Sequence, residues 1–234
     1  MAKTNNQQII IILGPPGAGK GIQATLLADK MGFYYFDTSK IIEQKVMNAR
    51  DGEVQKIGGK EYNLLAEKKL WEDGILCTPL LVAFWVNNRI KELAEQGESI
   101  IFAGSPRTLP ETKEIMPVMV EFYGKENIRV IVFELKAEDS IWRNSNRRIC
   151  ELMRHPILFN KETENLKICP LDGSKLIKRE KLDDTEVIKI RLEEYKNRTL
   201  PIVDYLKNEG YKVTDIDASP APANVFDNVL KAIK

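Results

Sequence analysis

The 234-residue chain lacks a strong net charge, a membrane-length apolar run and an even number of cysteines. Its 35 basic and 34 acidic residues leave a formal charge of +1, so no global field favours nucleic acid or a membrane surface. No apolar stretch is long enough to cross a bilayer, and residues 1–8 are polar, unlike a signal peptide. Three cysteines do not fit the disulfide framework of a small secreted protein. These absences predict a cytoplasmic protein.

A glycine-rich loop follows the most apolar stretch of the chain. Ile9–Leu13 predicts a buried strand, and Gly14–Lys20 has the G-x-x-x-x-G-K spacing of a phosphate-binding loop. Glycines let backbone N–H groups surround a phosphate, and the helix predicted to begin near Gly19 directs its positive N-terminus at the same anion. Lys20 adds a charge that can reach the terminal phosphates. A plain Gly/Pro-rich turn is the alternative, but the strand–loop–helix context disfavours it.

Strands and helices alternate about five times along the chain. After the first strand, further apolar strands are predicted at 33–36, 99–103, 128–135 and 211–216. The alternation predicts an α/β fold with a parallel, doubly wound, five-stranded sheet and a site at the carboxyl ends of the strands. Two stretches interrupt it. Residues 38–79 are predicted to be helical with a loop at 50–60, and residues 149–181 are predicted to be irregular, which in a compact domain usually indicates function.

The residue after the loop lysine distinguishes two classes of phosphate-binding loop. The general nucleotide-hydrolase pattern has Ser or Thr there to bind magnesium, whereas this chain has Gly21, followed by Ile22 and Gln23. Lys-Gly-x-Gln resembles the adenylate kinases and their nucleoside-monophosphate-kinase relatives, and the resemblance runs from about Ile9 to the C-terminus. Further matches stand in the family's order: Gly104–Thr108 against Gly-Phe-Pro-Arg-Thr, then Arg147–Ile149, Asp183–Asp184, Arg191–Leu192 and Pro201.

The resemblance implies a P-loop kinase, commonly monomeric, that transfers the γ-phosphoryl group of MgATP to a nucleoside monophosphate. AMP is the implied acceptor, and another base stays open. Three parts are implied: a core of 9–37, 80–148 and 182–234, a monophosphate-binding insert at 38–79, and a lid at 149–181 that closes over ATP. Phosphoryl transfer needs in-line positioning, cationic clamps and exclusion of water, so the chemistry asks for the same parts.

Cations occupy the motif positions that the family uses around the transferred group. Guanidinium forks suit phosphate oxygens, and although a single arginine is ordinarily a solvated surface charge, four at motif positions favour a site. The implied catalytic set is Lys20, Arg107, Arg147, Arg179 and Arg191. The implied ATP-binding set is Gly14, Gly17, Ala18, Gly19, Lys20, Gly21, Ile22, Arg143 and Arg147, with Arg143 packed on the adenine. The implied monophosphate-binding set is Thr38, Glu43, Cys77, Gly104, Arg107, Glu111 and Arg191.

The monophosphate side departs from the family pattern at charged positions. Glu43 stands where the family has the arginine that binds the acceptor phosphate, and Lys40 and Ala103 replace the two aspartates that organise the water shell of magnesium. Asp37 is the acid nearby in sequence that could take over this role. These changes favour an alternative, an ATP-binding pseudoenzyme or regulatory member with weak or no transfer. A plain ATPase switch is disfavoured because Ser or Thr is missing after Lys20.

Glu111 replaces the glutamine that recognises adenine in the family. A glutamine amide can accept from the adenine amino group and donate to N1, whereas a carboxylate only accepts. An unpaired buried N1 would cost about 1–3 kcal/mol, while two adjacent donors, as on the Watson–Crick edge of guanine, would suit the carboxylate. We therefore expect Glu111 to shift acceptor preference away from AMP. Otherwise it faces water, or the insert no longer binds a monophosphate.

The predicted lid contains four candidate zinc ligands, Cys150, His155, Cys169 and Asp172. Cys169–Asp172 has the C-x-x-D spacing of a zinc knuckle, and some lids of the family carry zinc on two such half-sites. Met153 occupies the position of a second knuckle cysteine, so the first half-site is incomplete. A tetrahedral zinc site would hold together a loop too short for its own core. The alternative is a metal-free lid with free thiols and a surface histidine.

Overall fold

A computed structural model describes residues 7–179 and 183–233, and a five-stranded parallel sheet lies at its centre. In chain order the strands are β1 (Ile9–Leu13), β2 (Tyr34–Phe36), β3 (Val54–Ile57), β4 (Lys60–Asn63), β5 (Ile100–Ala103), β6 (Ile128–Glu134), β7 (Arg148–Cys150), β8 (Pro156–Ile157), β9 (Leu176–Ile177) and β10 (Lys212–Asp217). The helices are α1 (Lys20–Met31), α2 (Thr38–Val46), α3 (Leu64–Glu72), α4 (Pro79–Glu95), α5 (Leu109–Tyr123), α6 (Ala137–Ser145), α7 (Thr185–Glu194), α8 (Leu200–Asn208) and α9 (Pro222–Ala232).

The central sheet has the order β10–β6–β1–β5–β2, and every neighbouring pair is parallel. The isoleucines of β1 alternate between two apolar clusters, with Ile9 and Ile11 in one and Ile10 and Ile12 in the other. A strand covered on both faces must be apolar throughout, which explains its composition. The predicted fold class is confirmed, and the loops that follow β1, β5 and β6 meet at the carboxyl edge of the sheet.

The insert at 38–79 is helical only in part, and the prediction of a loop at 50–60 is wrong. β3 and β4 form an antiparallel hairpin across Gly58 and Gly59, which have φ values of 56° and 80°. Positive φ at both central residues is what a two-residue type I′ turn requires. α3 begins at Leu64, because the side chain of Asn63 accepts from the backbone N–H of Ala66 and caps the helix there.

The stretch at 149–181, predicted to be irregular, contains a small antiparallel sheet in the order β8–β7–β9. These strands are only two or three residues long, too short for an alternating pattern to be visible in the sequence. α6 ends at Ser145, and Arg148 begins β7. Residues 180–182, where the predicted lid meets the core, lie outside the described residues.

The helical stretch from Thr185 to Asn208 changes type near its middle. A π-helical segment at 195–199 joins α7 to α8, and Pro201 lies in the first turn of α8, where its missing N–H is not needed. α9 begins at Pro222. None of the helices in the described ranges combines the length and apolar character needed to cross a bilayer.

Candidate active site

The loop between β1 and α1 is shaped by its contacts with α6. Ser140 Oγ donates to the carbonyl of Pro16 at 2.6 Å, and both groups are buried. Gly17 has φ of 79°, and a Cβ there would lie 2.6 Å from Asn144 Nδ2. Only glycine meets both conditions without displacing α6. The contacts with α6 therefore fix the shape of the phosphate-binding loop.

Lys20 is the first residue of α1, and its side chain turns back toward the phosphate-binding loop. Its Nζ donates to the carbonyls of Gly14 at 2.7 Å and Pro15 at 2.8 Å. Gly19 precedes it in the left-handed conformation, with φ of 81°. The first N–H groups of α1, including those of Gly21 and Ile22, have no partner within the helix and can bind an anion. Burial lowers the pKa of Lys20 well below its usual value, and nearby cations lower it further. These cations are Arg107, Arg191 and Arg147.

The predicted catalytic cations come together from distant parts of the chain. Arg107 follows β5, Arg147 follows α6, Arg179 follows β9, and Arg191 lies in α7. Burial, followed by repulsion from Arg179, Arg107 and Arg147, lowers the pKa of Arg191 to about 9. Burial and Arg179 likewise lower the pKa of Arg147 to about 10. Mutual repulsion of this kind is relieved by an anion with several negative charges, such as a polyphosphate.

Asp183 lies among these cations and pairs with two of them. Its Oδ1 is 2.6 Å from Arg179 Nη2, and its Oδ2 accepts from Arg179 Nε at 3.2 Å, so the pair is bidentate. Arg147 Nη1 lies 3.7 Å from the same Oδ1. The side chain of Asp183 is only 1% exposed. The carboxylate therefore fixes the directions of two guanidinium groups, and sequence analysis quoted it as a motif residue without assigning it a role.

Arg107 is held by residues from two distant segments. Its Nη2 donates to Ser39 Oγ in α2 at 3.1 Å, and its carbonyl accepts from Thr199 Oγ1 at 2.7 Å. A Cβ on Gly104 would lie 2.7 Å from Arg107 Nη2, so glycine leaves the space that the guanidinium occupies. Ser39 and Thr199 were missed by sequence analysis, because they are 68 and 92 residues away in the chain and no local pattern connects them to Arg107.

Glu111 is buried, at 3% exposure, in the first turn of α5. Its Oε1 accepts from Ser105 Oγ, and its Oε2 accepts from the backbone N–H of Arg107 at 3.0 Å. Burial raises the pKa of Glu111, and these two hydrogen bonds oppose that shift. The carboxylate thus has partners within its own chain, and it does not face water. Recognition of the acceptor base by Glu111 stays a prediction.

The other monophosphate-side residues differ in exposure. Thr38 is 1% exposed, and its Oγ1 has no hydrogen-bond partner among the described residues. Glu43 is exposed on α2, so a carboxylate stands where the family pattern has a cation. Cys77 is buried, its thiol donates to the carbonyl of Glu67 at 3.6 Å, and burial raises its pKa to about 12. The Cys77 thiol is therefore packed in the interior, and its hydrogen-bond partner lies within residues 38–79.

Two positions that carry aspartate in the family pattern have no carboxylate in this chain. Ala103 ends β5, and Lys40 is exposed in the first turn of α2. Asp37 precedes α2, where its Oδ1 accepts from the backbone N–H of Ser39 at 3.0 Å and caps the helix. Helix capping uses one oxygen of Asp37. The same carboxylate is the one that we predicted to organise the water ligands of magnesium, and its second oxygen would serve that role.

Arg143 lies beside the loop on α6 and is anchored at both ends of its guanidinium. Nη1 donates to the carbonyl of Ala218 at 2.8 Å, and Nη2 donates to that of Ser219 at 2.7 Å. These bonds hold the guanidinium plane in place, as stacking on an adenine would need. The adjacent Trp142, 51% exposed, meets Phe159 edge to face with ring centroids 5.7 Å apart. This contact joins α6 to the predicted lid.

The four candidate zinc ligands are brought together by the small antiparallel sheet. One ligand atom from each of Cys150, His155, Cys169 and Asp172 lies within 4.8 Å of the others. His155 Nδ1 is 3.8 Å from Cys169 Sγ and 3.5 Å from Asp172 Oδ2. That Oδ2 is buried and accepts no hydrogen bond from the part of the chain that the structure describes. Two thiols, an imidazole and an orphaned carboxylate oxygen are a donor set that fits zinc.

The chain is similar to known proteins over almost its whole length. The adenylate kinase family model matches residues 12–211 of the chain. An adenylate kinase of Mycoplasma mycoides subsp. mycoides SC is 31% identical over 227 residues, which cover 95% of this chain and 97% of the relative. Adenylate kinases of Caldicellulosiruptor saccharolyticus and Methanosarcina barkeri are each 31% identical over 227 residues, which cover 96% of this chain and 98% of the relative.

Proposed function

Since the chain belongs to the adenylate kinase family and is a nucleoside monophosphate kinase of that type, we propose that it converts MgATP and AMP to two molecules of ADP. The observation that carries this proposal is the convergence of Arg107, Arg147 and Arg191 from distant segments on Lys20, with Arg179 beside Arg147 and Arg191. AMP is proposed because the relatives are named adenylate kinases. A cytoplasmic location and a monomeric state stay predictions.

Each cation has a proposed task in the transfer. The first turn of α1 and Lys20 bind the phosphates of ATP, and Arg107 grips the phosphate of the acceptor. Arg147, Arg179 and Arg191 surround the transferred group and neutralise the charge that spreads over its oxygens. Arg143 packs on the adenine of ATP. Closure of the 149–181 lid over this site would exclude water, which otherwise competes with the acceptor for the phosphoryl group.

Magnesium enters this reaction as part of the MgATP substrate. Asp37 is the carboxylate that we propose organises its water ligands, because Lys40 and Ala103 supply none. The same substitutions, together with Glu43, favour a second candidate function, an ATP-binding protein with weak or no transfer. The charge reversal at position 43 bears on it most directly, because it replaces a grip on the acceptor phosphate with repulsion.

A coupled assay of ATP turnover, with and without AMP, GMP, CMP or UMP, separates the candidates. We expect diphosphate formation that depends on the acceptor and is fastest with AMP. Fastest turnover with GMP would instead support base recognition by Glu111. ATP binding without turnover would support the pseudoenzyme, and phosphate release without an acceptor would support an ATPase. A variant with Lys20 replaced serves as the blank for contaminating kinases.

We also propose that the lid cluster binds a structural zinc ion. Cys150, His155, Cys169 and Asp172 would hold it, with His155 in place of the ligand that Met153 cannot provide. A structural zinc contributes folding free energy to the segment that binds it. Here it would join the connections around β7, β8 and β9, whose strands are too short to have an apolar core.

Protein purified without chelator should contain about one equivalent of zinc by metal analysis. Cys169→Ser should lose the metal and lower the melting temperature, because two connections of the lid are no longer joined. Cys77→Ala is the matched control, since Cys77 is equally buried but lies in the insert, and it should retain the zinc. A wild-type protein without zinc, or a Cys169→Ser variant that keeps it, would contradict the proposal.

A further inference from the structure

Ser105 and Glu111 both depart from the family pattern, and they are in direct contact. The pattern has phenylalanine and glutamine at these positions, whereas here the serine hydroxyl donates to one carboxylate oxygen. Ser105 is 0% exposed and Glu111 is 3% exposed, so the bond is shielded from water. A phenylalanine at 105 could not donate, and a buried carboxylate oxygen without a donor is costly. The two substitutions therefore compensate each other.

The second oxygen of Glu111 connects this pair to the phosphate site. It accepts from the backbone N–H of Arg107 at 3.0 Å, while the Arg107 carbonyl accepts from Thr199 at 2.7 Å. The guanidinium of the same residue reaches Ser39 Oγ at 3.1 Å. Arg107 is thus fixed at its N–H, its carbonyl and its side chain by three separate residues. Glu111 is the one of the three that also fixes the preceding residues of the loop, through Ser105.

We propose that Glu111 is a positioning residue for Arg107, and that it does not recognise the acceptor base. It sets the backbone of 104–107 so that the Arg107 guanidinium points at the acceptor phosphate. That an acceptor phosphate binds here rests on the proposed kinase function. The position of the loop rests on the observed hydrogen bonds of Glu111. Each carboxylate oxygen already accepts a hydrogen bond from the loop, and the side chain is only 3% exposed, so we expect Glu111 to make no contribution to discrimination among bases.

Steady-state kinetics with AMP, GMP, CMP and UMP test the proposal on Glu111→Ala, Glu111→Gln and Ser105→Ala. Glu111→Ala should raise KM for every monophosphate by the same factor, roughly tenfold, because a buried N–H and a hydroxyl lose their acceptor. KM for ATP should stay within about twofold of the wild-type value, since the loop after β1 is untouched. Ser105→Ala should have a smaller effect in the same direction.

Glu111→Gln separates positioning from base recognition. Its amide oxygen can accept from the Arg107 N–H while its NH₂ group donates to Ser105 Oγ, so a positioning role predicts rescue with an unchanged ratio of AMP to GMP activity. A base-recognition role predicts the opposite, a several-fold gain for AMP over GMP, because glutamine is the family's adenine-recognising residue. Such a gain would overturn the proposal. Glu114→Gln, exposed one turn further along α5, is the matched control.

A double-mutant cycle with Arg107→Ala tests the route of the effect. If Glu111 acts through Arg107, Glu111→Ala should add no further rise in KM once the guanidinium is gone, whereas additive effects would overturn the proposal. Calorimetric titration with AMP and GMP gives the same comparison without turnover. Absence of diphosphate formation in the wild type would therefore refute the kinase but not the positioning role. A wild type that binds neither nucleotide would overturn both. Should Glu111→Ala fail to fold, Ser105→Ala and Glu111→Gln still decide the question.

Discussion

Replacing Lys20 by alanine should lower acceptor-dependent turnover by about 10³-fold and leave the protein folded. The ammonium group opens α1 inside the phosphate-binding loop, where it stabilises charge that develops only during transfer. Loss of its bonds to the Gly14 and Pro15 carbonyls is offset by relief of repulsion from three arginines. The melting temperature should therefore change by only a few degrees.

Initial rates at saturating ATP and AMP, with a thermal melt on the same preparation, check this expectation. Lys30→Ala is the matched control, because Lys30 lies in the last turn of the same helix and is exposed. The control should keep full activity. Retention of more than about a tenth of the wild-type rate by Lys20→Ala would place the chemistry elsewhere.

Replacing Asp183 by asparagine should destabilise the fold by about 3–5 kcal/mol, the largest effect on stability that we expect for a polar residue here. The carboxylate is 1% exposed and pairs with Arg179 and Arg147. An amide would leave two half-buried guanidinium groups without this counter-charge, close to Arg191 and Lys20. In a chain of this length the loss corresponds to a fall of roughly 10 °C in melting temperature.

Urea unfolding of both proteins measures the difference in free energy of unfolding. Asp184→Asn is a close control: Asp184 is exposed and caps α7 by accepting from the N–H groups of Glu186 and Val187, a task that asparagine performs equally well. It should change stability by less than about 1 kcal/mol. Added polyphosphate should return part of the stability lost in Asp183→Asn, because the anion replaces the missing charge. Equal stability of Asp183→Asn and the wild type would contradict the role of the ion pair.

The features that sequence analysis predicted well are those with local signals. A continuous run of isoleucine followed by G-x-x-x-x-G-K identifies a buried strand, a loop and the start of a helix within 13 residues. The arginines could be assigned because each stands in a short motif. The hairpin at β3 and β4 also had a local signal, Gly58–Gly59 between two short strands, but the polar composition around it favoured a loop.

Contacts between distant segments could not be predicted from the sequence. The Ser39 and Thr199 bonds to Arg107 depend on how α2 and the π-helical segment at 195–199 pack around the loop after β5. Glu111 is a second example. From the sequence, its carboxylate was predicted to accept hydrogen bonds from the acceptor base. Its actual partners, Ser105 and the Arg107 N–H, depend on the shape of the loop between β5 and α5. The short strands of the 149–181 stretch leave no periodic pattern at all.

The edge-to-face contact of Trp142 with Phe159 gives the chain a built-in optical probe. The indole belongs to α6, which shapes the phosphate-binding loop, and the phenyl ring belongs to the 149–181 stretch. Trp85, by contrast, is 4% exposed in the core, and Trp71 in α3 has to be replaced by phenylalanine so that the change in emission can be assigned to Trp142. Because indole emission depends on contact with water and neighbouring rings, any displacement of Phe159 from Trp142 changes the spectrum. Any movement of the 149–181 stretch relative to α6 can thus be followed in real time by stopped-flow fluorescence, without attaching a dye.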